Sequence, residues 1–472
     1  MEEQNKVLNR RDFLRLSAVT AVSVIAAACT PATPEPMAEP DVADEPADEP
    51  TDEPVEQPDE EPEAPAGEAV ELNLLLVSWN DDYRALMEDE ILPAFADAHA
   101  GVTVLPDYTT WGELDPKVMT AFASGLAPDI FQADTIEFGV KYYARDIIAE
   151  LEPFIETSGG SDAIADFYEK AIYEGSSVDG KIIGMPYELD NRSEFYRKDF
   201  FEEVGLDPES PPTSWEDFRE AAILLTVRDG DTITRAGYHW WARAWSIQEF
   251  FPFMWQNGGT MLNEAMDQAT FNSDEAVEAL EFITNLLRED KVGPLEEMPS
   301  VGDLSPLAAG TRAMSPGGYG MISNTATYAP EVREQLGLFI PEKETKGHLW
   351  YANTMHMTKG DHMDEAWSLV THLLFDDDNF RRHHEAMGSL PPRKSIAASA
   401  SHISDLHMAL IDDVMSAPGS KTTAAVEYAG EVIPRVDEAI AKSLYGDAAP
   451  KEALDVAVEE ANQIIKRYLE GE

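Results

Sequence analysis

From residue 71 onward, short apolar runs alternate with stretches of helical periodicity, and this alternation limits the possible folds more than any other feature. An apolar run over 72–77 predicts a buried strand. Apolar residues then recur every four positions, which predicts a helix with one apolar face: Tyr83, Met87, Ile91 and Phe95. Two further strands are predicted at 102–105 and from residue 130, with a helix over 118–123 between them. The alternation predicts an α/β fold in which helices cover both faces of a parallel sheet.

Two residues stand where such a sheet binds its ligands. Ligands of open α/β sheets lie beyond the carboxyl ends of the strands. Trp79 follows the first predicted strand, and Asp134 follows the third. Both residues are therefore candidates for ligand binding.

The charge balance narrows the functions that the chain can have. It has 472 residues, with 34 basic and 90 acidic side chains and a net charge of −56. This charge argues against nucleic acid as a partner, because phosphates need a basic surface, and against docking on anionic lipid through a basic patch. The length predicts two or three domains, and 43% apolar residues suffice for their cores. With one cysteine, neither a disulfide framework nor a zinc site of several cysteines is possible.

Fifteen of the acidic side chains lie between residues 30 and 68, together with ten prolines and no basic side chain. Like charges repel one another and proline lacks an N–H group, so this stretch favours neither helix nor sheet. We expect residues 29–69 to form a disordered tether. At about 3.1 Å per residue in a polyproline-like state, it would reach on the order of 100 Å at most.

Residues 1–28 are typical of an export signal. The twin arginines Arg10 and Arg11 with the following Phe13 resemble a twin-arginine signal. The apolar run after them has about 13 residues, too few for a bilayer span of about 20. Small residues precede the lone Cys29 as in a bacterial lipobox, although Ala26 stands where leucine is more common. The alternative is a buried apolar start with an unrelated cysteine. We expect lipidation of Cys29 and a lipid-anchored protein on the extracytoplasmic face of the bacterial cell membrane.

Nine short motifs follow one another through residues 70–472. They are ILPAF (91–95) with VTV (102–104), GLAPDI (125–130), DGKIIGMPY (179–187), FYRKD (195–199), PTSWEDF (212–218), NGG (257–259), GTRAM (310–314), AW (366–367) and LPPRK (390–394). Each motif is weak by itself. In this order and spacing they resemble the family 1 extracellular solute-binding proteins of ABC importers, a group that includes maltose-binding-like sugar receptors.

The resemblance implies a type II periplasmic binding protein fold with a hinge between two lobes, each a central sheet flanked by helices. It implies a first lobe over 70–187 and 345–387 and a second over 188–344 and 388–472. The final helix is predicted without the family, because one apolar face recurs in the sequence: Leu454, Val458, Ala461, Ile465 and Leu469.

The resemblance also implies a function. The chain would capture a sugar or oligosaccharide by hinge closure and deliver it to the transmembrane permease subunits of an ABC importer. We expect a monomer that needs no cofactor and is not an enzyme.

Aromatic candidates follow from the chemistry of sugar sites, in which rings stack on aromatic faces and hydroxyls find paired polar groups. The candidates come from the cluster of four tryptophans in 240–255, the crossover motif, the predicted return to the first lobe and the position after Gly317-Gly318. They are Tyr187, Trp240, Trp255, Tyr319 and Trp350. Tyr319 stands where relatives often have tryptophan. The alternative for each is a place in the core, which we prefer for Trp241 and Trp245 because of their helical spacing.

Three polar candidates follow from the same resemblance. Glu188 and Asp190 come directly after the crossover motif, which lines the cleft in the family. Arg393 lies in the LPPRK motif, which often reaches the pocket. The alternatives are a solvated acidic strand edge for the two acids and a surface ion pair for Arg393.

Other ligands and one other class of protein stay open. Acidic and aromatic side chains also suit a polyamine or an oligopeptide. A secreted carbohydrate-active enzyme fits the export signal and the aromatics, but not the motif order. Eight of the ten histidines lie between His348 and His407, yet without metal-binding spacing, so we expect no metal.

Overall fold

The structure is a computed structural model that describes residues 69–471. The predicted export signal and Cys29, and all but the last residue of the tether, lie outside the described residues. Within the described range, no helix combines the length and the apolar composition that crossing a membrane requires.

Twelve strands and nineteen helices follow one another along the described chain. The strands are β1 (Val70–Val77), β2 (Val102–Thr109), β3 (Ile130–Ala133), β4 (Ser177–Val178), β5 (Lys181–Ile182), β6 (Met185–Asn191), β7 (Ser193–Arg197), β8 (Val227–Asp229), β9 (Thr232–Tyr238), β10 (Arg312–Gly317), β11 (Leu336–Phe339) and β12 (Trp350–Met357). The helices before β8 are α1 (Asp81–Leu86), α2 (Leu92–Ala98), α3 (Trp111–Ala123), α4 (Ile136–Ala144), α5 (Glu152–Thr157), α6 (Ser161–Ile164), α7 (Glu169–Tyr173), α8 (Lys198–Glu203) and α9 (Trp215–Leu225). The later helices are α10 (Ile247–Gln256), α11 (Asp274–Arg288), α12 (Tyr319–Tyr328), α13 (Pro330–Arg333), α14 (Met363–Leu374), α15 (Asp377–Met387), α16 (Lys394–Ala397), α17 (Asp405–Ser416), α18 (Ala429–Tyr445) and α19 (Pro450–Glu470).

The first sheet has the strand order β2-β1-β3-β12-β6. Its strands β1, β2 and β3 are parallel, as the alternation predicts, whereas β12 runs antiparallel to both β3 and β6. The sheet is therefore mixed rather than wholly parallel. The reason is that β12 belongs to a later segment that returns from the second sheet, a connection that strand–helix alternation does not reveal.

The second sheet has the order β11-β7-β10-β9-β8, with β9 and β10 parallel and β7 antiparallel to its neighbours. Only Arg192 separates β6 of the first sheet from β7 of the second. The chain returns to the first sheet between β11 and β12. Each sheet packs its own helices, and one further cluster that includes Leu189, Phe195 and Trp350 joins the two at the crossings.

Periodicity predicted the buried faces of two helical segments at all but one position. The predicted stripe after β1 is buried throughout and spans α1, a π-helical turn over Met87–Ile91, and α2. In α19, four of the five predicted positions are buried, but Leu469 is 62% exposed because it lies in the last turn, beyond the packing partners. The lobe boundaries stay a prediction.

Candidate functional site

A cavity of about 1080 Å³ opens between the two sheets. From the first sheet it is lined at the carboxyl ends of β1, β2, β3 and β6 and at the amino end of β12. From the second sheet it is lined beyond the ends of β9 and β10. Side chains of parallel strands converge where the strands end, which is why distant sequence segments meet here. We call this cavity the cleft.

The floor of the cleft is a row of oxygen-bearing side chains on neighbouring strands. Asn353 on β12 pairs with Glu188 on β6, and Asp134 directly follows Ala133, which pairs with the next residue of β12. Strands lie about 4.8 Å apart, so Asp134 and Glu188 flank Asn353 with about 10 Å between their backbones. The Asn353 amide donates to the Glu188 carboxylate at 2.5 Å, and the Tyr319 hydroxyl is within hydrogen-bonding reach of the same carboxylate.

Aromatic rings form the walls of the cleft. Trp79 and Trp111 lie edge to face with ring centroids 5.4 Å apart, and they follow β1 and β2 respectively. On the other side, Trp245 packs against Phe138 with centroids at 6.5 Å and against Tyr351 at 6.4 Å. The Trp79 indole nitrogen and the Tyr351 hydroxyl are buried without a hydrogen-bond partner in the described chain. These walls present flat apolar faces together with unused polar groups.

Both arginines that line the cleft are bonded to carboxylates. Arg192 bonds Asp190, with an Nε–Oδ2 distance of 3.1 Å. Arg243 bonds the buried Glu249 at 2.7 Å, and its guanidinium lies over the Trp241 ring. The charge of each arginine is therefore balanced locally.

The two carboxyl groups at the ends of the floor have raised pKa values. Burial, and then the nearby Glu137 and Asp190 carboxylates, raise the pKa of Asp134 to about 7, although Arg192 acts in the opposite direction. Burial and Asp190 raise the pKa of Glu188 to about 8, against the hydrogen bonds from Tyr319 and Asn353. Loss of water disfavours the charged form of a carboxyl group.

One glycine lets the β10–α12 turn approach the floor. A Cβ atom on Gly318 would lie 2.9 Å from the Asp190 Oδ1 atom and 3.2 Å from the Asn191 carbonyl oxygen. A backbone carbonyl cannot move aside as a flexible side chain can, so a larger residue would push the turn away. Gly318 therefore helps to set the position of Tyr319.

Trp245 is held in the cleft by an unusual backbone. Its φ angle is +66°, in the left-handed region that non-glycine residues rarely adopt. The Asp437 carboxylate on α18 accepts from the Trp245 amide at 2.8 Å and from the Ile247 amide at 3.1 Å. This clamp offsets the backbone strain and fixes the indole between the cleft and a smaller neighbouring cavity of about 560 Å³.

Five of the ten predicted binding residues line the cleft: Trp79, Asp134, Glu188, Asp190 and Tyr319. They come from four separate segments of the sequence. Their role in binding stays a prediction.

Two predicted residues lie one position away from cleft residues. Tyr187 is 1% exposed and its hydroxyl bonds that of Tyr83 at 2.6 Å, in the core of the first sheet. Trp350 is fully buried in the cluster that joins the sheets. Successive strand residues point to opposite faces, so Glu188 and Tyr351 face the cleft while their neighbours face the core.

The other three predicted residues also lie elsewhere. Trp240 and Trp255 are buried in the core of the second sheet. Arg393 bonds Asp166 and Asp377 and also donates to the Leu374 and Phe375 carbonyls. Its bonds tie the end of α14 to neighbouring segments, and it is not among the residues that line the cleft.

Several lining residues were missed by the sequence analysis: Trp111, Phe138, Arg192, Arg243, Trp245, Tyr351 and Asn353. Trp111 follows β2 as Trp79 follows β1, so the strand-end rule could have found it. Strand alternation could have found Tyr351 and Asn353. Trp245 was assigned to the core from helical spacing, but it precedes α10 in an irregular segment. Nothing in the sequence signals its left-handed backbone.

The histidine-rich stretch serves packing. Burial lowers the pKa of His356 to about 4 and that of His383 to about 3, so both are neutral at pH 7. In residues 69–471, no three histidine, cysteine, aspartate or glutamate side chains are grouped so as to hold a metal ion.

Comparison with solved structures shows the fold. The sugar-binding protein MalE from Xanthomonas citri superposes with a TM-score of 0.72, at 18% identity, and the match covers 85% of this chain and all of that one. An ABC transporter solute-binding protein from Thermotoga lettingae, bound with α-D-tagatose, gives a TM-score of 0.70 at 18% identity, with 84% and 100% covered. The chain has the two-lobed type II periplasmic binding protein fold that the motif resemblance implies.

Sequence comparison agrees with this. The sn-glycerol-3-phosphate-binding periplasmic protein UgpB of Salmonella paratyphi A is 22% identical over 411 residues, which are 80% of this chain and 89% of the relative. The family model described as bacterial extracellular solute-binding protein matches residues 79–379. A cleft between two lobes, this fold and this match lead to one conclusion: the chain belongs to the family of bacterial extracellular solute-binding proteins.

Proposed function

We propose that the chain is the extracytoplasmic receptor of an ABC importer and that its cleft captures a sugar or oligosaccharide. The observation that carries this proposal is the arrangement of aromatic faces around a row of hydrogen-bonding oxygens. Sugar rings have an apolar face and a polar edge, and they bind where both kinds of surface are offered together. The names of two structural relatives point the same way, since MalE is sugar-binding and the Thermotoga protein holds tagatose.

The size of the cleft supports a ligand larger than one small ring. Its volume of about 1080 Å³ lies just above the range of about 300–1,000 Å³ that is typical of small-molecule sites. The neighbouring cavity of about 560 Å³ shares Phe138 and Trp245 with the cleft. A cleft of this volume suits an oligosaccharide.

The two origins of the lining support hinge closure. Asp134 and Glu188 come from the first sheet, whereas Tyr319 and Trp245 follow strands of the second. Tyr319 reaches Glu188, and Trp245 packs against Tyr351, so a ligand held among these groups contacts both sets. Its binding energy therefore favours the closed form, which the permease would recognise.

The ligand class is tested by thermal unfolding of the purified chain with a panel of mono- and oligosaccharides. A ligand at one hundred times its Kd stabilises the folded state by about 2.7 kcal/mol, so a binder raises the unfolding temperature clearly. Trp79→Ala should abolish the shift and Trp240→Phe, in the core, should retain it. A panel in which no carbohydrate shifts the transition would contradict the sugar proposal.

Membrane anchoring is the second part of the proposal. Cys29, with the small residues before it, would carry the lipid and hold the receptor at the cell surface. Cells that express the chain should incorporate a labelled fatty acid into it, and Cys29→Ser should remove the label. Labelling of the serine variant would contradict attachment at Cys29.

A further inference from the structure

Most of the charged side chains that line the cleft form ion pairs. Asp115 bonds Lys141 at 2.6 Å, Asp190 bonds Arg192, and Arg243 bonds Glu249. Two carboxyl groups of the lining have no ion pair in the described chain, Asp134 and Glu188. Both groups have raised pKa values, so the excess negative charge at the two ends of the floor is present when they are ionised. An ammonium group beside them would lower these pKa values and so favour the ionised forms.

One uncharged acceptor of the floor, the Asn353 side-chain oxygen, also lacks a hydrogen-bond donor. Asn353 is 5% exposed, gives its amide hydrogen to Glu188, and leaves its Oδ1 atom without a partner in the described chain. This oxygen lies between the two unpaired carboxyl groups in the strand register. A buried acceptor without a donor costs about 1–3 kcal/mol unless a ligand or water supplies one. Asn353 Oδ1 therefore lacks a hydrogen that a ligand could donate, whereas Glu188 already accepts hydrogen bonds from Asn353 and Tyr319.

The walls favour a positive charge as well. Trp79, Trp111, Trp245 and Tyr351 all line the cleft. The face of an aromatic ring attracts a cation within about 6 Å of its centre. Carboxylates below and ring faces beside the same space form an environment for an ammonium group.

We propose that the solute of this cleft carries a primary ammonium group, which is seated at Asp134 and Glu188 with Asn353 Oδ1 as a further acceptor. The inference rests on the proposed receptor function and names the chemical class of its ligand. An amino sugar and a polyamine share this chemistry.

The charged groups of the cleft also disfavour an anionic solute. The relative UgpB is named for binding sn-glycerol-3-phosphate. A phosphate needs cationic or N–H donors, and both lining arginines of this chain are already bonded to carboxylates. A phosphate would also lie close to Asp134 and Glu188, whose ionised forms would repel it.

Four probes test the proposal by titration calorimetry on the purified chain. They are the β1,4-linked glucosamine disaccharide, cellobiose as its neutral counterpart, spermidine, and sn-glycerol-3-phosphate. We expect the aminated disaccharide to bind at least about tenfold more tightly than cellobiose, as a charge-assisted hydrogen bond adds to the neutral ones. We expect the phosphate to bind more weakly than either.

Three variants separate the charge from the fold. Asp134→Asn and Glu188→Gln keep the shape of each side chain and remove its charge, so each should weaken the binding of the aminated disaccharide by about tenfold more than that of cellobiose. Glu209→Gln, an exposed acid that pairs with Lys198 outside the cleft, is the matched control and should change neither. Thermal unfolding of each variant without ligand shows whether it is folded.

The outcomes distinguish the ammonium inference from the proposed receptor function. Binding of spermidine without either disaccharide supports the ammonium inference and contradicts the sugar. Equal or tighter binding of cellobiose, with both disaccharides weakened equally by the two variants, overturns the ammonium inference and leaves the sugar receptor standing. Tighter binding of sn-glycerol-3-phosphate overturns the inference too. If none of the four binds at millimolar concentration while another neutral sugar shifts the thermal transition, the inference fails and the receptor function stands. If no carbohydrate of the panel shifts it either, both fail.

Discussion

Single positions along β6 and β12 decide which side chains meet a ligand. Glu188 faces the cleft and Tyr187 faces the core, and the same holds for Tyr351 and Trp350. The resemblance led to segments that line the cleft, but not always to the residue within them that faces it. A strand has a period of two, so an error of one position exchanges the two faces of the sheet.

The raised pKa of Glu188 makes one prediction at this scale. A carboxyl group whose pKa is higher in the folded than in the unfolded state makes the folded state bind more protons, so stability is lost as pH rises between the two values. For Glu188 the window runs from about 4.5 to about 8. Glu188→Gln should therefore gain stability relative to the original chain as pH increases through this window, because glutamine has no charge to bury.

The measurement is the unfolding temperature of both proteins at intervals from pH 5 to pH 8 without ligand. Glu209→Gln is the control, since an exposed acid should give a difference that does not change with pH. Buried histidines with lowered pKa values, such as His356 and His383, are common to all three proteins and cancel in the difference. A constant difference for Glu188→Gln would show that its carboxyl group titrates normally.

At the scale of the element, caps and periodic stripes were predictable and close approaches were not. Ser214 and Asp217 form the capping box of α9 that a Ser-x-x-Asp pattern indicates. The β10–α12 turn instead depends on what lies opposite it. In the sequence, nothing distinguishes Gly318 from other loop glycines, and only the structure shows that Asp190 lies against it.

Replacing this glycine tests whether the turn sets the cleft geometry. Gly318→Ala should displace the turn from Asp190, weaken ligand binding and cost about 1–3 kcal/mol of stability through overpacking. Gly360→Ala is the matched control, because a Cβ atom there meets nothing within 4 Å and the position lies outside the lining of the cleft. Urea unfolding and ligand titration measure both effects. Equal behaviour of the two variants would show that the approach of Gly318 to Asp190 is unimportant.

At the scale of the whole molecule, the prediction is that a ligand brings the lobes together. The walls of the cleft are divided between the sheets, and the chain crosses between them at Arg192 and again between β11 and β12. Small-angle X-ray scattering should give a smaller radius of gyration with a saturating ligand than without it. A sugar that produces no thermal shift serves as the control. Identical scattering curves with a tight ligand would contradict hinge closure.

The sequence by itself determined the class of the protein. Its alternation predicted an α/β fold, and its motif order pointed to the family that the comparisons show. These features depend on local periodicity and on turn residues, which act over a few positions. For the same reason the strand-end rule found Trp79 and Asp134, since the end of a strand is visible in the chain itself.

Only the tertiary structure decided which side chains share the cleft and which charges remain unpaired there. Asn353 meets Glu188 through a strand register that joins positions 165 residues apart, and Asp437 reaches Trp245 across 192 residues. The sequence does not show that Arg393 and Arg192 differ in their surroundings. In the structure Arg393 ties buried segments together, whereas Arg192 lines the cleft. Long-range pairing sets these contacts, because folding brings together groups that no local pattern relates.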